Sequence, residues 1–226
     1  MMISLLLENF PNDSGPIYAE TVAGRFPVEP YNTYSNFLFL GIILYFGYFV
    51  IRNYKRHLFL AACLPVLVVS WIGGTMYHAT RSAQLWLYLD WVPIVTLCLA
   101  VSVYFIFKIA HQWWHNVLIL IVVLSIVVGG RMLPWPASVQ ISAGYVLTVL
   151  GLLLPLFLYL YKTQFRNVLW VLLAVLSFAV AVTFRSFDSH IDTLPMGSHW
   201  LWHSFGAVAV FFLMLYIYQD RLPRQS

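Results

Sequence analysis

Four ionisable side chains stand where a charge-poor chain has few reasons to place them: His78, Asp90, His199 and His203. His199 and His203 are spaced i, i+4, which sets two imidazoles on one helix face, about 6 Å apart along the axis. That spacing lets both bind one metal ion, as in the zinc-binding H-x-x-x-H pattern. His78, brought in on a facing helix, would complete a three-histidine set. The fourth tetrahedral position would then be open to water, as catalytic zinc requires. Asp90 can accept a hydrogen bond from that water or shuttle its proton, as general base and then acid.

By itself an H-x-x-x-H pair is weak evidence, because histidines at helix ends are common at membrane interfaces. The remaining histidines have blander settings. His57 follows Arg56 in a basic loop, and His111 and His115 flank Trp113 and Trp114 in what reads as an interfacial belt of aromatic and basic residues. His190 falls in the last loop.

The elements that must position these groups are set by composition. Of 226 residues, 62% are hydrophobic and 9% charged, with mean hydropathy +0.82. A soluble domain carries about 25% charged residues, because its surface must face water. This chain must face lipid instead. The net charge of +4 comes from short clusters between apolar runs, unlike a nucleic-acid surface, which gathers Lys and Arg on one face. Cys63 and Cys98 lie inside apolar runs and read as small buried side chains. The N-terminal MMISLLLENF lacks a basic leader, so no cleaved signal peptide is expected.

A membrane helix needs roughly 20 apolar residues. Seven runs are placed near Thr33–Ile51, Leu58–Tyr77, Leu85–Phe107, Val117–Val128, Val139–Tyr161, Val168–Phe184 and Leu201–Tyr218, the fourth being short. The fold class expected is an all-α seven-transmembrane helix bundle, one domain over 1–226, with short loops joining antiparallel neighbours. A polar N-terminal segment, residues 1–31, holds four of the eight acidic residues: Glu8, Asp13, Glu20 and Glu29.

Loop charges then set the orientation. Arg25, Arg81, Arg131 and Arg185 fall on the N-terminal side, whereas Arg52, Lys55, Arg56, Lys108, Lys162, Arg166, Arg221 and Arg224 fall on the other. The bias puts the N-terminus outside or in a lumen and the C-terminus in the cytoplasm. It also puts His78, Asp90, His199 and His203 near one membrane face, which nothing in the composition required. Intramembrane ionisable groups are functional suspects by default.

The segments GGTMYHATRSAQLWLYLDWVPI (Gly73–Ile94), GSHWLWHSFGA (Gly197–Ala207) and EPYNTYSN (Glu29–Asn36) resemble the alkaline ceramidases and their bacterial relatives. These belong to a wider group of seven-helix membrane hydrolases that includes the adiponectin-receptor family. The match touches the first, second, third and seventh spans; the middle of the chain matches only in hydropathy. The resemblance implies zinc held by His78, His199 and His203, with Asp90 near the zinc-bound water. It also implies a calcium ion bound by N-terminal acidic residues, for which Glu29 and Glu8 are the matching positions. The implied reaction is hydrolysis of the amide bond of ceramide or a related N-acyl lipid, giving a free amine base and a fatty acid. The substrate would arrive through the bilayer.

Two positions depart from the family. A serine that steadies the oxyanion usually lies four residues before the first zinc histidine; here that position is Gly74, leaving Thr75 or Ser70 to supply a hydroxyl. The interval from His78 to Asp90 is also one residue longer. A receptor or sensor using the same metal structurally is the alternative, disfavoured by the short tail after Tyr218. A retinal protein would need a lysine in the last span, and Leu201–Tyr218 has none.

Overall fold

The computed structural model describes residues 10–109, 112–136, 139–188 and 194–220. Among these the regular structure is entirely helical. Six helices are long and apolar enough to cross a membrane: α1 (Pro30–Arg52), α2 (Leu58–Thr80), α3 (Gln84–Ile109), α5 (Gln140–Lys162), α6 (Val168–Ser186) and α7 (His199–Asp220). The shorter apolar helix α4 covers Trp113–Gly129, its last turn wound as a π-helix over Ser125–Gly129. All seven expected runs are therefore helices, and the chain is an all-α, multi-pass membrane protein.

Side-chain exposure agrees with a lipid surround. Leu44 and Leu176, both mid-helix, are 64% and 62% exposed. Rows of such residues along α1, α2, α3, α5 and α6 would be untenable in water and are at home against acyl chains.

Two compact units divide the chain, Met1–Ile94 with Trp170–Ser226, and Val95–Leu169. In the second, Phe105 is fully buried with its ring 5.3 Å from that of Tyr159, and Ser102 Oγ donates to the Gly151 carbonyl. Lys162 Nζ donates to the carbonyls of Lys108 and Ile109, satisfying the open end of α3.

The first unit holds every candidate site residue among those described. Its helix α1 comprises Pro30–Ser35 and Phe37–Arg52, joined at Asn36, whose own backbone is helical. Pro at the first helical position suits the start, since its missing N–H is one that no helix satisfies. Glu29 occupies the N-cap but makes no side-chain cap. A residue from outside the helix does so instead: the Glu20 carboxylate accepts from the N–H groups of Tyr31 (2.9 Å) and Asn32 (2.7 Å).

Helices α2 and α3 meet at Gly73 and Gly74. A Cβ on Gly73 would lie 2.3 Å from the carbonyl carbon of Leu89, so only a residue without a side chain permits the contact. Entry to α7 is built in a similar way. Gly197 has φ +69°, and a Cβ there would meet Asp188 Oδ1 at 2.4 Å. Asp188 Oδ1 accepts from the N–H groups of Ser198 and His199, both at 2.7 Å, and so caps the helix. Its other oxygen accepts from Ala19 N at 3.2 Å, which ties the N-terminal segment to the start of α7.

Candidate metal centre

His78 lies in the last turn of α2, and His199 and His203 in the first turns of α7. Each offers one ligand atom, and these atoms all lie within 4.8 Å of one another. Ring centroids are 5.4 Å apart for His78 and His199, and 4.7 Å for each of the other two pairs. The three are 0%, 2% and 5% exposed.

Hydrogen bonds leave the rings oriented for a cation. His78 Nδ1 donates to Glu29 Oε2 at 2.5 Å, which puts the proton on Nδ1 and the lone pair on Nε2. His203 Nδ1 faces the Asn32 carbonyl at 3.1 Å and Ser35 Oγ at 2.9 Å. Ser35 Oγ itself donates to the Asn32 carbonyl, so it is free to accept from His203 Nδ1. His203 Nε2 is thus the nitrogen left for a metal. Two further ring atoms, His78 Nε2 and His199 Nδ1, are buried without any hydrogen-bond partner. Buried unpartnered nitrogen is costly unless something accepts its lone pair. A borderline-soft ion such as zinc fits this all-imidazole donor set, and the outer carboxylate and carbonyl match the partners that metal-bound histidines use.

The Tyr18 ring is stacked on His199, with centroids 3.8 Å apart and planes at 21°, and is 5.6 Å from His78. The N-terminal segment thereby covers the imidazole cluster.

Asp90 is brought beside Gly74, one turn before His78 on α2. A Cβ on Gly74 would lie 2.5 Å from Asp90 Oδ1 and 2.8 Å from Asn36 Oδ1. The space where the resembled family carries its serine is filled here by two other side chains. Of the two substitute hydroxyls expected, Ser70 Oγ donates to the Asp90 backbone carbonyl at 2.9 Å, a bond that fixes α3 against α2. Thr75 Oγ1 is buried and without a partner.

Glu29 is fully buried. Its Oε1 accepts from Arg81 Nη1 (2.7 Å) and Thr21 Oγ1 (2.6 Å), and its Oε2 from His78 and Asn32 Nδ2 (3.3 Å). Burial by itself would raise this carboxyl. The hydrogen bond from His78, helped by Thr21 and the charge of Arg81, prevails and holds it at about 2. Burial is also the main influence on Glu20, where it outweighs the two capping N–H groups and pushes the carboxyl up. Glu8 lies outside the described residues.

Several residues of the centre gave no signal of their own in the sequence. Asn32 and Ser35 fall inside the EPYNTYSN segment, so the resemblance pointed to the right stretch without giving their roles. Tyr18, Asp188 and the pairing of Arg81 with Glu29 come from loops, where no periodicity marks a contact.

Calcium is a poor fit to Glu29 and Asp13. Both oxygens of Glu29, and both of Asp13, already accept hydrogen bonds from Arg81 or its neighbours. Comparison with known proteins adds nothing to these observations: no family model matches the chain, and no curated protein matches it.

Proposed function

We propose that this protein is a membrane-embedded, zinc-dependent hydrolase that cleaves the amide bond of ceramide or a related N-acyl lipid, releasing an amine base and a fatty acid. The observation that carries the proposal is the buried convergence of His78, His199 and His203, two of them with an unpartnered ring nitrogen, at the ends of membrane helices. The resemblance of Gly73–Ile94 and Gly197–Ala207 to the alkaline ceramidases supplies the reaction class.

Zinc held by the three imidazoles would supply Lewis acidity and bring the pKa of a bound water to about 7. The chain's own groups divide the rest of the work. Glu29 and the Asn32 carbonyl hold His78 and His203 in the tautomer that offers Nε2. Asp90 takes a proton from the attacking water and returns it to the leaving nitrogen, so that water and amide become acid and amine. Thr75 Oγ1, buried and with no other partner, is the hydroxyl available to steady the developing oxyanion. Tyr18 limits access of bulk water from the N-terminal side. Exposed apolar helix faces suit a substrate that keeps its acyl chains in the bilayer. The loop-charge bias supports an N-terminus outside or in a lumen, which would put the centre at the outer face.

The deciding experiment combines metal analysis of the purified protein with hydrolysis of a panel of N-acyl lipids, comparing wild type and His199→Ala. Wild type should carry zinc and release fatty acid, and the variant should do neither. Turnover retained by the variant would refute the assignment. Zinc without hydrolysis across the panel would leave the metal a structural role, as in a receptor.

A further inference from the structure

Arg81 is the largest of the fully buried side chains, and all five of its N–H groups are used. Nε donates to Asp13 Oδ2 (2.9 Å) and Nη2 to Asp13 Oδ1 (2.6 Å), a bidentate pair. Nη1 donates to Glu29 Oε1 (2.7 Å) and the Pro16 carbonyl (3.0 Å), and Nη2 also to the Gly15 carbonyl (3.3 Å). Five oxygens, from two carboxylates and two backbone carbonyls, thus surround one cation. Such an oxygen shell is the ligand type that hard metal cations use.

The backbone points the same way. Arg81 ends α2 in the left-handed conformation, φ +48°, a place that glycine usually takes. A side chain is strained there, so the guanidinium must return more than that strain through its contacts.

We infer that Arg81 is a built-in cation of the metal centre, a positioning residue that takes the place of calcium among the N-terminal acidic groups and presses Glu29 onto His78. It rests on the zinc site proposed above. One guanidinium against the carboxylates of Asp13 and Glu29 leaves a net negative charge beside three imidazoles, which suits a dication in the neighbouring site and needs no second metal. The N-terminal segment is held by the same bonds, and with it Tyr18 over His199.

The test reads zinc retention against a zinc-selective chelator, and the thermal midpoint, with added calcium and in resin-treated buffer free of calcium. Wild type should give the same values in both buffers. Arg81→Ala should hold zinc about 10-fold more weakly, the low end of the loss that follows removal of a metal ligand's own partner, because Arg81 acts through Glu29. Added guanidinium chloride should restore it, and sodium chloride at equal ionic strength should not. Arg81→Ala combined with Glu29→Gln should not be rescued. A saturable gain in zinc retention or midpoint when wild type meets calcium would overturn the inference, and this holds even if Arg81→Ala fails to fold. So would a folded Arg81→Ala that keeps wild-type zinc affinity in the calcium-free buffer. Wild type that takes up no zinc in either buffer marks a different failure, that of the metal centre itself, and removes Arg81's role with it.

Discussion

Glu29 is bound to His78 twice. Its backbone N–H donates to the His78 carbonyl at 3.0 Å, and its carboxylate accepts from His78 Nδ1 at 2.5 Å. The preceding residue repeats the backbone contact, Val28 N to the Ala79 carbonyl at 2.9 Å. The entry to α1 is thereby fastened to the end of α2, and an acidic residue in the N-cap position is diverted from capping to orienting an imidazole. Glu20 caps α1 in its place.

Glu29→Gln should therefore weaken zinc binding by about 10- to 100-fold, measured by chelator competition. The variant also leaves Arg81 short of one carboxylate, so its thermal midpoint should fall as well. The wild-type carboxyl is held at about 2, below its ordinary 4.5. A depressed acid adds stability above pH 4.5 and loses it only as pH falls through about 2. Protonation of Glu29 should therefore cost no stability between neutrality and pH 4.5. A wild-type thermal midpoint that falls over that range, with Glu29→Gln unchanged over the same range, would contradict this.

Installing the serine of the resembled family at Gly74 should damage this protein. The new Cβ would stand 2.5 Å from Asp90 Oδ1 and 2.8 Å from Asn36 Oδ1, so both side chains must move. With Asp90 displaced, Gly74→Ser should lose about 10²-fold or more in turnover, the scale of a general acid–base contribution. Zinc content should stay at the wild-type level. Asp90→Asn, which keeps the shape, should show the same division between turnover and metal. Faster hydrolysis by Gly74→Ser would mean that the serine is simply missing here.

The spans were legible because bilayer thickness fixes their length and lipid their composition. Thr33–Ile51 was expected and Pro30–Arg52 is found; Leu201–Tyr218 was expected and His199–Asp220 is found. Apart from Pro30, the extra residues at the ends are polar or aromatic, where hydropathy fades before the helix does. The three imidazoles were legible for a related reason: alternating span direction brings the end of α2 and the start of α7 to one side. What sequence spacing lacked was the bonding between loops. Arg81 reads as one loop charge among four, yet its side chain is wholly buried against Asp13 and Glu29. Asp188 lies ten residues before Ser198, and only the folded loop makes it the cap of α7.

That cap can be removed. Asp188→Ala leaves the N–H groups of Ser198 and His199 without their acceptor and frees Ala19. Loss of a helix N-cap costs about 0.5–2 kcal/mol, which should appear as a lower thermal midpoint. Because His199 is itself one of the capped residues, zinc affinity should fall too, and Asp188→Asn should recover part of both. Unchanged zinc affinity at a reduced midpoint would show that the cap stabilises α7 without positioning its histidine.

Thr75 separates a packed residue from a working one. Its hydroxyl is buried with no partner, and an unsatisfied buried polar group costs about 1–3 kcal/mol. Valine has nearly the same shape and no hydroxyl, so Thr75→Val should raise the thermal midpoint whatever the threonine does. Activity distinguishes the roles. Loss of a donor to the oxyanion should lower turnover by about 10²- to 10³-fold, with zinc content and substrate KM little changed, because the interaction strengthens only as charge develops. The expected variant is thus more stable and much slower. A Thr75→Val protein that is more stable and equally fast would leave the oxyanion to another donor, with the Asn36 carboxamide, placed beside Asp90 at Gly74, the next group to replace.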